Sequence, residues 1–206
     1  RKNIKKFCGK PMISYSIETA IKTGIFDEIL ISTDSQEIAE ISKDYGAKVP
    51  FIRPDELSDD FATTGDVMAH ATQWLQENED ELNSVCCVYA TAPFIQKDDL
   101  LNAYEIFNTN KWSYVFSATT FSFPIQRAIK RLDNGGIEMF QPEYFYTRSQ
   151  DLEEAYHDAG QFYFGKSKAW INKEKIFHKN SEIVVLPKWR VQDIDTPKDW
   201  EYAVKL

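Results

Sequence analysis

Residues 12–46, MISYSIETAIKTGIFDEILISTDSQEIAEISKDYG, decide the fold class. Ile13, Ile17, Ala20 and Ile21 recur at helical spacing and Gly24 follows them, which predicts a helix over residues 12–23. Glu28 to Thr33 reads as a buried strand. Asp34 reads as the N-cap of a second helix, striped by Ile38, Ile41 and Tyr45 and closed by Gly46. Helix, strand and helix in one short stretch is the repeating grammar of an α/β domain.

The same rhythm extends outward. An acidic, loop-like run from Asp55 to Thr64 precedes a helix from about Gly65 to Asn78, and Val85 to Ala90 is a second buried strand leaving through Thr91-Ala92-Pro93. A helix near residues 97–107 and a strand over Tyr114 to Thr119 follow. The alternation predicts a mostly parallel central sheet with helices on both faces. Residues 121–150 break the pattern with Pro124, Asn134-Gly135-Gly136 and Pro142, as expected of a hairpin-bearing excursion. Phe121, Phe123, Phe140, Tyr144, Phe145 and Tyr146 would give that excursion an aromatic surface unusual on a monomer.

With 206 residues, 43% of them hydrophobic, the chain suits one domain able to bury a core, and no internal repeat interrupts it. A net charge of −8 without a basic cluster argues against a nucleic-acid partner. No apolar run has the roughly 20 residues a membrane helix needs and no signal-like segment opens the chain, so a soluble cytoplasmic protein with no membrane partner is expected. Cys8, Cys86 and Cys87 are odd in number and two are adjacent, a spacing that suits reduced thiols better than a disulfide framework or a zinc knuckle.

Two stretches carry the chemistry. Tyr156 to Gly165 (YHDAGQFYFG) is an aromatic strand broken by Gly160, and Val191 to Pro197 (VQDIDTP) holds Asp193 and Asp195 two apart. In an extended run both carboxylates face the same way while Ile194 points inward, an arrangement that suits Mg²⁺ shared with substrate phosphates. Thr196-Pro197-Lys198-Asp199 is also a good helix start, so Asp195 has a plain capping-related reading beside the metal one. Lys2 and Asn3 are phosphate-friendly or simply a solvated end. His157 beside Asp158, Arg53-Pro54, and Thr63-Thr64 each have an ordinary structural reading as hydrogen-bond, turn and cap residues.

The order of these elements resembles the cytidylyltransferases that activate nine-carbon acidic sugars, the sialic acid synthetase group. Lys2-Asn3, Gly9-Lys10-Pro11-Met12-Ile13, Ile31-Ser32-Thr33-Asp34, Arg53-Pro54-Asp55-Glu56-Leu57, Thr91-Ala92-Pro93 and Asp193-Ile194-Asp195-Thr196 are collinear with that family's pattern. Phe123-Pro124-Ile125-Gln126-Arg127-Ala128, Thr147-Arg148-Ser149-Gln150-Asp151 and Tyr156 to Gly165 look most like its pseudaminic acid branch. Val88-Tyr89-Ala90 and His157-Asp158-Ala159-Gly160 stand where sialic acid enzymes have other runs, which counts against ordinary sialic acid. Members begin with a strand and a phosphate loop just before the Lys-Asn pair, and this resemblance implies that those elements are missing from the sequence as given.

What the resemblance implies is a three-layer, Rossmann-like nucleotidyltransferase fold over residues 1–206, with residues 121–150 as a small dimerisation excursion and a homodimer as the assembly. It implies CTP as one substrate and an acidic nonulosonic sugar as the other, with Mg²⁺ on Asp193 and Asp195. Lys2 would act with those two acids in catalysis, and Lys2, Asn3, Arg53, Thr63 and Thr64 would hold the nucleotide. Tyr89, Thr91, Gln126, Arg127, Arg148, His157, Asp158, Gln161 and Tyr163 would face the sugar, with Arg127 and Arg148 reaching a partner's site. The rival readings are a cytidylyltransferase for N-acetylneuraminic or legionaminic acid, a nucleotide-sugar transferase of related fold, and an inactive dimeric nucleotide-binding module.

Overall fold

The structure is a computed structural model that describes residues 1–78 and 81–206. A short antiparallel pair, β1 (Lys6–Phe7) and β2 (Lys10–Pro11), leads into α1 (Met12–Thr23). The apolar stripe buries Ile13 and Ile17 against Ile29, Ile31, Ile38 and Ile41, and Gly24 closes the helix at φ +68, a left-handed value that a side chain would disfavour. α2 (Gln36–Asp44) begins one residue later than the sequence predicts. Its N-cap is Ser35, whose hydroxyl accepts from the Ile38 N–H, while Asp34 turns instead toward Arg53 at 3.7 Å.

The predicted strand at Glu28 to Thr33 does not develop into a ladder. Leu30 forms a single parallel bridge with Lys48, held by Ile31 N–H to Lys48 O at 2.9 Å and Lys48 N–H to Ile29 O at 2.8 Å. Residues 25–34 line a cavity, and among the described residues the backbone of this segment pairs at Lys48 and, through Thr33 O, at Arg53.

After α3 (Thr64–Asn78) come β3 (Ser84–Val88), α4 (Lys97–Phe107) and β4 (Tyr114–Thr120). The excursion contains the hairpin of β5 (Ile129–Arg131) and β6 (Ile137–Met139), turned at Asn134-Gly135-Gly136 as its composition predicts. β7 (Tyr156–Lys166), α5 (Ser167–Ile171), β8 (Ser181–Val185) and α6 (Pro197–Ala203) complete the chain. The main sheet has the order β3-β7-β4-β8. β4 and β8 are parallel, and β7 runs antiparallel to both β3 and β4, so three of the four strands share one direction. This is a mixed α/β sheet in which the long aromatic strand is the one reversed member.

One face of the sheet packs Val115, Phe162 and Phe164 against Leu100, Ala103 and Phe107 of α4. The other sets Tyr114, Phe116 and Tyr163 against Met68 of α3 and Trp170 of α5. Trp170 donates its indole N–H to Val85 O at 2.9 Å and lies directly over Gly165. A Cβ at Gly165 would sit 2.4 Å from Trp170 Nε1 and 2.7 Å from Tyr114 Cε1, both nearly immobile in the core. Gly165→Ala should therefore lower stability by about 3 kcal/mol or more, the upper end for overpacking, seen as a reduced urea midpoint. A midpoint equal to that of the parent would show that the indole can withdraw without loss.

Among the described residues, no helix is long and apolar enough to cross a membrane. All three cysteines are free, and burial pushes the Cys87 thiol up to about 12, so it is unreactive at neutral pH. The excursion leaves Phe123, Phe140, Phe145 and Tyr146 largely exposed, with Tyr146 at 92%.

Candidate active site

A cavity of about 750 Å³ is bounded by residues 25–34, by β3 and its exit through Thr91, and by faces of α1 and α3. Its polar lining includes Asn3, Asp34, Arg53, Thr64, Tyr89 and Thr91. Arg53 is fixed from three sides. Its N–H donates to Thr33 O at 2.8 Å, its Nε donates to the Ser58 hydroxyl at 3.0 Å, and Nη2 lies 3.7 Å from Asp34. A guanidinium held through Nε and Nη2 presents a planar fork suited to paired acceptors.

Thr63 and Thr64 separate in role. Thr63 caps α3, accepting from the Asp66 N–H at 3.2 Å, while Asp66 accepts from both the backbone and the hydroxyl of Thr63. Lys173 and Thr63 hold the Asp66 carboxyl down at about 2, so this cap stays charged across the physiological range. Thr64 faces the cavity and shares a 2.8 Å hydrogen bond with the Tyr89 hydroxyl.

Val191 to Asp195 is extended without joining the sheet. The predicted alternation holds, with Ile194 buried at 2% and both acids exposed. Ile194 packs with Phe7, Met12 and Ala203 and so fixes the segment that carries the carboxylates. Lys2 Nζ donates to Asp195 Oδ1 at 2.9 Å, joining the start of the chain to this segment. Desolvation and the neighbouring Asp195 charge raise the Asp193 carboxyl, whereas the Lys2 ammonium lowers Asp195. Two carboxylates that disfavour each other's charge, with an adjacent cation, are a donor set that fits a hard divalent ion completed by water and phosphate oxygens. Among the described residues, no group of three or more His, Cys, Asp or Glu converges. Thr196 is the N-cap of α6 within a capping box with Asp199, so Asp195 itself is not consumed in capping.

The remaining expected sugar residues lie apart from the cavity lining. Gln126 is buried and donates to Glu153 O at 2.9 Å, Arg127 reaches Thr147 O, and Arg148 pairs with Asp151 at 2.8 Å, all within or beside the excursion. His157 meets Asp158 O through Nδ1 at 2.9 Å and packs edge-on against Phe121. Asp158 accepts from the Gly160 N–H at 2.9 Å and from the Tyr163 hydroxyl. Gln161 is 4% exposed and donates to Arg190 O at 2.7 Å, tying β7 to the segment before Asp193.

Sequence reasoning gave Asp34 only a capping role and passed over Arg190 and Asp99. Arg190 binds Asp99 through two nitrogens, with side chains 8% and 11% exposed, and so anchors the chain three residues ahead of Asp193. An Arg just before the acid-bearing run was the available signal, but its partner lies 91 residues away.

Residues 1–192 match a family described as cytidylyltransferase. The pseudaminic acid cytidylyltransferase of Campylobacter jejuni subsp. jejuni is 50% identical over 203 residues, covering 98% of this chain and 88% of that protein. The CMP-N,N'-diacetyllegionaminic acid synthase of Legionella pneumophila is 30% identical over 215 residues, covering 100% of this chain and 88% of that protein. Among solved structures, CMP:2-keto-3-deoxy-manno-octonic acid synthetase complexed with CTP superposes with a TM-score of 0.66 at 14% identity, over 99% of this chain and 90% of that one, a likeness of fold.

Proposed function

Since the chain belongs to the cytidylyltransferase family, we propose that it transfers CMP from CTP to the anomeric oxygen of pseudaminic acid, releasing pyrophosphate. The observation that carries the choice of sugar is the 50% identity over 203 residues to a pseudaminic acid enzyme, against 30% over 215 residues to a legionaminic acid enzyme. In the reaction the sugar's anomeric oxygen attacks the α-phosphorus of CTP in line, forming one P–O bond as the bond to pyrophosphate breaks. Such transfers depend on positioning and charge neutralisation.

Asp193 and Asp195 would hold Mg²⁺, whose charge, when bound, neutralises the phosphates and acidifies the attacking hydroxyl. Lys2 adds a second positive charge beside that pair. Arg53 donates to O2 and N3 of cytosine, with Thr64 and Asn3 completing the nucleotide side of the cavity. Tyr89 and Thr91, with the buried Tyr163 packed behind Tyr89, form the aromatic, sparsely polar edge for the sugar, which suits the methyl and acylamido groups of pseudaminic acid better than the glycerol tail of sialic acid. Unpaired hydroxyls there cost roughly 1–3 kcal/mol each.

Pyrophosphate release measured with CTP and a panel of nonulosonic acids tests the reading. The expected kcat/KM for pseudaminic acid exceeds that for N-acetylneuraminic acid by roughly tenfold to a hundredfold. Equal or reversed values would assign the enzyme to another sugar. Absence of pyrophosphate with every sugar would favour an inactive nucleotide-binding module.

The working form is a homodimer joined through residues 121–150, supported by the exposed Phe123, Phe140, Phe145 and Tyr146. Across that interface Arg127 and Arg148 would offer cations to the sugar carboxylate bound by the partner. Light scattering should give about twice the 23.9 kDa of the chain. A fully active monomer at micromolar concentration would contradict both the interface and the roles of the two arginines. A cytoplasmic setting is supported by the use of CTP and by three free thiols.

A further inference from the structure

β7 does not lie regularly on β4. Phe116 faces Tyr163 and Ala118 faces Asp158, so the single residue Ser117 spans Ala159 to Phe162 on the neighbouring strand. Gly160 sits within this bulge at φ +59, which other residues rarely adopt, and its N–H turns back to Asp158 Oδ1. A bulge of this size removes ladder hydrogen bonds that buried backbone must replace. Ser117 Oγ accepts from the N–H of Gln161 and of Phe162, each at 3.2 Å, and donates to Phe162 O at 3.4 Å. One hydroxyl thus uses its donor and both acceptor positions on the bulge, at a residue with 0% exposure.

The bulge also aims what lies on either side of it. Asp158 is turned so that Oδ2 receives the Tyr163 hydroxyl, and the Tyr163 ring lies 5.5 Å from that of Tyr89. Burial and the Asp158 carboxylate raise the Tyr163 phenol, keeping it a donor. Tyr89 in turn bonds Thr64, and both line the cavity. A Cβ on Gly160 would stand 3.9 Å from the Tyr89 ring, so the bulge and the cavity wall are in direct contact.

We infer that Ser117 is a positioning residue for the sugar side of the site, setting Asp158, Tyr163 and through them Tyr89 by holding the bulge in β7. This rests on the proposed cytidylyltransferase reading, in which Tyr89, backed by Tyr163, edges the sugar pocket. A buried strand serine whose only task was stability would affect folding without distinguishing the two substrates.

Ser117→Ala should raise KM for pseudaminic acid roughly tenfold or more, as expected for displaced binding groups, while KM for CTP stays at its parent value. Ser117→Thr, which keeps the hydroxyl, should restore the sugar KM, and Gly160→Ala should reproduce the defect from the other end of the bulge. A lower melting temperature with an unchanged sugar KM, or equal rises in both KM values, would overturn the inference. Should Ser117→Ala fail to fold, an unchanged sugar KM in Gly160→Ala would overturn it as well. A readout without substrate separates this from the functional proposal: with 3-fluorotyrosine incorporated, the Tyr163 fluorine resonance should move in Ser117→Ala and return in Ser117→Thr. If the parent protein turns over no sugar, the functional reading fails while that resonance still decides the role of Ser117, an unmoved signal counting against it.

Discussion

Asp195→Asn is expected to lose a hundredfold to a thousandfold in kcat while melting within a degree or two of the parent. The two effects separate because of where Asp195 sits. Its side chain is 67% exposed and its partner Lys2 is 37% exposed, so the ion pair is screened and adds little to stability. Thr196 caps α6 without it, and Ile194 keeps the segment packed. The carboxylate matters for charge. Asparagine keeps the shape but removes half of the acid pair, and several kcal/mol of transition-state stabilisation at about 1.4 kcal/mol per tenfold gives the stated loss. Pyrophosphate release at limiting Mg²⁺ measures it, and near-parental turnover would exclude Asp195 from the proposed metal-binding role.

Arg190→Ala should act in the opposite sense, on stability first. Asp99 is 11% exposed and would be left with its charge buried and its guanidinium gone. It also accepts the Gln96 N–H at 3.1 Å within the capping box of α4, so it cannot simply turn to solvent without undoing the start of that helix. Breaking a buried pair by deleting one partner costs about 3–5 kcal/mol, which in a chain of this size lowers the melting temperature on the order of 10 °C. Replacing both residues, as Arg190→Met with Asp99→Leu, should recover most of that loss, because no charge then remains unpaired. Calorimetry of the three proteins gives the comparison, and a single variant that melts with the parent would show that water reaches Asp99 after all.

Sequence periodicity located elements that are decided locally. The helix at Lys97–Phe107, the turn at Asn134-Gly135-Gly136 and the capping box of Thr196 with Asp199 all depend on residues within a few positions of each other. Glu28 to Thr33 has the composition of a strand, yet a strand is defined by neighbours, and among the described residues its backbone meets single partners at Lys48 and Arg53 rather than a ladder. The reversed direction of β7 was equally invisible, since alternating aromatic residues read the same in either direction. At the site, the inward Ile194 between outward acids followed from a period of two. Gly160 marked a break in β7, but Ser117, which fills the resulting gap, lies 44 residues away from the nearest amide it binds and carries no local signature. Asp34 was displaced as a cap by Ser35 because the serine hydroxyl reaches the Ile38 N–H from the position next to the helix.

The pairing of Lys2 with Asp195 joins positions 193 residues apart. On a ribosome adding about 5–20 residues per second, the acid arrives roughly 10–40 s after the lysine it meets. β3 and β4 each pair with β7, so they join one sheet only after that strand is made, and the Lys2–Asp195 contact forms later still. On the proposed role of Asp195, a polypeptide interrupted before that residue would carry the cavity lining without the acid that Lys2 meets.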